Sequence, residues 1–79
     1  MVKINVTLTT VKDVQQFVSF MSNQPYDAYI KTDRYTVDAK SLMGIFSLDL
    51  SEPVELRIEC DRDEAKDVID QLTSQFGAK

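Results

Sequence analysis

The chain has 79 residues and a formal charge of −4 from 9 basic and 13 acidic side chains, with one cysteine and no histidine. At this length only about 60–65% of the unfolded chain's surface is buried, which allows one small core and a surface site, a single domain over 1–79, and excludes a deep enclosed cleft. A 43% hydrophobic and 28% charged composition excludes a disordered chain, the acidic balance with scattered Lys and Arg argues against nucleic acid, and no apolar run reaches the ~18 residues of a membrane span.

In chain order, Val2, Ile4, Val6 and Leu8 alternate with Lys3, Asn5 and Thr7, the period of a strand with one buried face. Val11, Val14, Phe17, Val18 and Met21 then recur at helical spacing. Thr10 and Asp13 have the spacing of a capping box, so a helix is predicted from Val11 to Ser22, closed by Asn23 and Pro25. From Tyr26 to Ala39 β-formers return around the polar break Thr32-Asp33-Arg34, with Ala28, Ile30, Tyr35, Val37 and Ala39 at alternate positions. This predicts a hairpin.

Leu42, Ile45 and Phe46 are spaced for one face of a brief helix, with Ser41 suited to cap it and Gly44 limiting its length. Val54, Leu56, Ile58 and Cys60 alternate with Glu55, Arg57 and Glu59 after the turn Ser51-Glu52-Pro53, predicting another strand. Asp61 and Glu64 are then read as a cap pair for a helix carrying Ala65, Val68, Ile69, Leu72 and Phe76, with Gly77 at its C-terminal stop. The order β-α-β-β-α-β-α predicts an α+β fold, a four-stranded antiparallel sheet with three helices on one face. Its open face would carry Lys3, Asn5, Tyr29, Lys31, Thr36, Glu55, Arg57 and Glu59.

Without histidine, Ser-His-Asp and Cys-His chemistry and imidazole metal ligation are excluded. Cys60 has no disulfide partner, which fits a reducing cytoplasm, and its place in the strand pattern reads as a buried, inert thiol. Asp61, Asp63 and Glu64 can be read as weak cation ligands, but a helix start favours acidic residues for its dipole, and that explanation is preferred over a metal site. Gly44 and Gly77 match no phosphate-cradling loop. Tyr26, Tyr29 and Tyr35 are read as packing residues before stacking platforms. An enzyme using Lys12 with Asp13 or Asp38 has no motif behind it, so neither catalysis nor a cofactor is expected.

The string Val37-Asp38-Ala39-Lys40-Ser41-Leu42-Met43-Gly44-Ile45 is similar to the Val-Asn-hydrophobic-Lys-Ser-Ile-Met-Gly-Val segment of HPr, the small phosphocarrier of the bacterial phosphoenolpyruvate-dependent sugar phosphotransferase system. With the same element order, the chain resembles that family from Tyr26-Asp27-Ala28 to the end of the last helix. The resemblance implies the HPr-like open-faced β-sandwich. It makes Ser41 the counterpart of the serine that HPr kinase phosphorylates in Gram-positive relatives. Lys40, Leu42, Met43, Ile45 and Phe46 fall in its partner-binding segment, of which some must pack inward.

The family's carrier site does not carry over. Its Gly-Ile/Leu-His-Ala-Arg-Pro motif opens the first helix, where the imidazole takes phosphate from enzyme I and the helix N-terminus stabilises it. Counted back without gaps, the histidine falls on Lys12, the arginine on Val14 and the proline on Gln15. A lysine amine is protonated near neutral pH and has no free lone pair for attack, so lysine does not replace histidine as a reversible carrier. The expectation is an HPr-like regulatory module, cytoplasmic, whose partners are proteins such as HPr kinase or a transcriptional regulator. The other reading is a small-molecule-binding or dimerising α+β domain unrelated to phosphotransfer.

Overall fold

A computed structural model describes residues 1–77. The element order is β1 (Val2–Val6), α1 (Val11–Ser22), β2 (Ala28–Lys31), β3 (Thr36–Asp38), α2 (Leu42–Phe46), β4 (Val54–Ile58) and α3 (Lys66–Phe76). The four strands form one antiparallel sheet in the order β1-β4-β2-β3, with the three helices on its apolar face, as predicted. Alternation explains the layering. Val2, Ile4 and Val6 of β1, Ala28 and Ile30 of β2, and Val54, Leu56 and Ile58 of β4 are buried, while the residues between them form the open face.

The pairing register extends this across the sheet. Ile4 lies opposite Leu56, Leu56 opposite Ile30, and Ile30 opposite Val37, one apolar row through all four strands. On the reverse side the corresponding rows are Lys3, Arg57, Tyr29, Asp38 and Asn5, Glu55, Lys31, Thr36. Glu55 and Arg57 pair along β4 at 2.8 Å.

Helix α1 buries Val14, Phe17 and Met21, and α3 buries Val68, Leu72 and Phe76, each at the helical period. The Phe17 and Phe76 rings meet edge to face at 5.5 Å and 86°, joining the two long helices above the sheet. Gly77 closes α3 in the left-handed conformation, φ 62°, its N–H donating to the Leu72 carbonyl, a stop that glycine makes without strain.

Several sequence expectations shift. Val11 has the spacing of the α1 core face but is exposed, because the core ends one turn above it. β4 stops at Ile58, and Cys60 lies beyond it, half-buried, its N–H turned onto the Ile58 carbonyl. Burial first, then the nearby Glu64 charge, raise the Cys60 thiol above its ordinary value, the direction of an unreactive group. Tyr35 lies outside β3 and is exposed.

The cap pair read at Asp61 and Glu64 is not formed at the start of α3. That helix opens on Ala65, which has no capping side chain. Asp61 contributes its carbonyl to the Ala65 N–H at 3.1 Å, and the Glu64 carbonyl accepts from the Tyr26 hydroxyl at 3.1 Å. The turn leading into the helix is therefore closed by the Asp61 backbone oxygen rather than by side chains, and Tyr26 ties it to the rest of the fold.

Candidate functional site

At the start of α1, Thr10 adopts an extended conformation and caps the helix, its hydroxyl accepting from the Asp13 N–H at 3.0 Å. Asp13 reaches back with a single oxygen, Oδ2, which accepts from the Thr10 N–H at 3.2 Å, the Thr9 N–H at 3.2 Å and the Thr9 hydroxyl at 3.0 Å. These bonds, the Thr9 hydroxyl foremost, hold the Asp13 carboxyl below its ordinary value of 3.8. The first turn thus already contains an anion of its own. Lys12 is exposed beside it.

The spacing of Thr10 and Asp13 made the capping box legible. The part played by Thr9 was not, because only the folded backbone brings a second threonine onto the same oxygen.

The second locus is α2. Asp38 Oδ1 accepts the Lys40 N–H at 2.8 Å, and the Asp38 carbonyl accepts the Ser41 N–H at 3.0 Å, turning the chain sharply out of β3. Ser41 then caps the helix, its hydroxyl accepting the Gly44 N–H at 3.1 Å. It is half-buried, at the edge of the core rather than within it. Gly44 packs closely, since a Cβ there would come within 3.1 Å of Ser41 Oγ and 3.3 Å of Val37 Cβ and would require those neighbours to give by a few tenths of an ångström.

Of the apolar residues in this segment, Ile45 is fully buried, which removes it from the expected contact surface. Ile45 is the fully buried anchor of this five-residue helix. Leu42 is half-buried against the core. Met43 and Phe46 face outward, 78% and 40% exposed. Lys40, expected in the same surface, sends its Nζ to the Gln24 carbonyl at 3.1 Å, tying the entry of α2 to the end of α1.

Of the carboxylates considered for chemistry with Lys12, Asp13 caps α1 through Oδ2 and Asp38 holds the Lys40 N–H through Oδ1. Among the described residues no group of three or more Cys, Asp or Glu is placed to hold a metal ion. No helix among them is long and apolar enough to cross a membrane.

The strand order, the covering helices and the two helix N-termini at Thr10 and Ser41 define an open-faced α+β sandwich of phosphocarrier type. The family described as the PTS HPr component phosphorylation site matches residues 10–77. Among solved structures, the chain is similar to HPr-C-His from Thermoanaerobacter tengcongensis at 30% identity and a TM-score of 0.73, over 100% of this chain and 99% of that one. It is similar in fold to the phosphocarrier protein HPr from Bacillus anthracis str. Ames at 24% identity and a TM-score of 0.73, over 95% of each chain. No curated protein matches it.

The chain belongs to the HPr family of phosphotransferase-system phosphocarriers. That membership sets aside an α+β domain unrelated to phosphotransfer. Members of this family are carriers that work with other phosphotransferase-system proteins rather than enzymes.

Proposed function

We propose that this HPr-family protein does not carry phosphate on histidine and acts as a cytoplasmic regulatory module that binds protein partners through the Ser41 segment. The observation that carries the first part is the start of α1. Where the family resemblance puts the phosphorylated imidazole stands Lys12, and beside it the Asp13 carboxylate is fixed at the helix start by three hydrogen bonds from Thr9 and the capping Thr10. An incoming phosphoryl group finds a lysine side chain in place of the imidazole nucleophile and, next to it, a fixed carboxylate.

The second part is supported by the arrangement at α2. The Ser41 hydroxyl lies at a helix start, next to outward-facing Met43 and Phe46, so a phosphate added there sits by free-ended backbone dipoles and beside an apolar docking patch. Partner-binding is assigned to Leu42, Met43 and Phe46, with Lys40 in a bracing role and HPr kinase or a transcriptional regulator as the partner type.

Two labelling experiments test this reading. With phosphoenolpyruvate and enzyme I the chain stays unlabelled; stable phosphate transfer onto it overturns the loss of carriage. With HPr kinase and ATP, mass spectrometry finds one phosphate on Ser41 and none on the Ser41→Ala variant, whereas label that survives the substitution removes Ser41 as the acceptor.

A further inference from the structure

The chain has three methionines and one cysteine, and the fold places their sulfur atoms in unlike surroundings. Met21 is fully buried on the core face of α1. Met1 is exposed, but its sulfur accepts from the Tyr29 hydroxyl at 3.7 Å, a contact that occupies a lone pair. Cys60 is half-buried and reacts with oxidants as the thiolate, the form that burial and the Glu64 charge disfavour. Met43 is 78% exposed, the most open large apolar side chain among the described residues.

The backbone beneath Met43 is fixed although its side chain is uncovered. Ile45 anchors α2 in the core, Ser41 caps it, and the Ser47 hydroxyl donates to the Met43 carbonyl at 3.0 Å. A buried thioether meets a solute only when the fold opens locally, as Met21 must. The Met43 thioether meets it in the native state.

We propose that Met43 is a peroxide-sensitive switch on the α2 docking patch, oxidised by hydrogen peroxide to the sulfoxide before the other sulfur atoms of the chain, with loss of docking. This inference rests on the reading of the Ser41 segment as a partner-binding surface. In the reaction the thioether sulfur gives a lone pair to one peroxide oxygen and the O–O bond breaks. The departing hydroxide takes the proton of the transferred hydroxyl and leaves as water, so that sulfur is oxidised to S=O and the peroxide is reduced. The product exchanges a soft apolar side chain for a polar one carrying a strong hydrogen-bond acceptor. Met43 and Phe46 are neighbours at helical spacing, and a partner shaped for that apolar pair has to desolvate the new oxygen. Because the side chain stands in solvent, the core is untouched by the change.

The test treats the intact chain with hydrogen peroxide, follows each sulfur by peptide mass spectrometry over time, and then supplies HPr kinase and ATP. One added oxygen is expected on Met43 while Met1 lags and Met21 and Cys60 stay reduced. Phosphate labelling of Ser41 is expected to slow about tenfold and to recover after treatment with methionine sulfoxide reductase. In Met43→Leu, whatever its starting rate, peroxide causes no further slowing. Oxidation of Met1, Met21 or Cys60 ahead of Met43 overturns the assignment of the site, and slowing that persists in Met43→Leu does the same. Equal labelling of reduced and oxidised chains overturns the switch while leaving Ser41 as the acceptor. No label on the reduced chain overturns the docking surface itself, and the switch with it.

Discussion

A single carboxylate oxygen organises the start of α1. Asp13 Oδ2 receives two backbone N–H groups and the Thr9 hydroxyl, and each of these bonds favours the ionised form. Its folded-state value is depressed, so the stability it contributes is present above the ordinary 3.8 and is lost as pH falls through the lower folded value. Asp49, held by Ser51, acts in the same direction. Urea midpoints measured from about pH 5 down to about pH 2 should fall, and Asp13→Asn should flatten that fall while Asp13→Asn with Asp49→Asn flattens it further. An unchanged pH profile in both variants would show that neither carboxylate is ionised preferentially in the folded state.

At the scale of the element, α2 divides its labour between one buried and two exposed large side chains. Ile45→Ala should cost about 2–4 kcal/mol in urea denaturation, since Ile45 is the one fully buried side chain of a five-residue helix whose other core contact, Leu42, is only half-buried. Met43→Ala should leave stability within about 0.5 kcal/mol and weaken partner binding instead, read by comparing both variants in a denaturation series and a partner titration.

Elements with a strong period were legible in the residues alone. The alternation in β1 and β4, the helical spacing of Val14, Phe17 and Met21, and the Ser41 cap all stand where spacing placed them. Spacing is silent about depth along an axis, which is why Val11 shares the helical spacing of the core residues yet is exposed, and why Cys60 shares the alternation of a strand that ends at Ile58. It is equally silent about aim. Asp61 and Glu64 have the separation of a cap pair, yet the Asp61 carbonyl serves the backbone turn and the Glu64 carbonyl accepts the distant Tyr26 hydroxyl, and Lys40 reaches Gln24 across a sequence gap that no local pattern encodes. At α2 the sequence could say that some of four apolar residues must turn inward, and only the fold decides that Ile45 does.

Across the whole molecule the core is a contiguous layer between the sheet and its helices, and Phe17 with Phe76 fastens α1 to α3 above it. Phe76→Leu keeps the apolar character but removes the edge-to-face contact, and should lower stability by about 1–2 kcal/mol in urea denaturation with the fold retained by circular dichroism. A loss of cooperativity in place of a shifted midpoint would show that the two helices depend on this contact to form.

The strand order carries a consequence for how the chain reaches its native state. β4 is flanked by β1 and β2, and its partners are as distant as Val2 with Ile58, so until that penultimate element is available the sheet consists of only the small β2–β3 hairpin. Closing so long a loop before any pairing rewards it makes assembly slow for a protein of this size. On the ribosome, the first strand must therefore wait, unpaired and half apolar, until translation has passed Ile58.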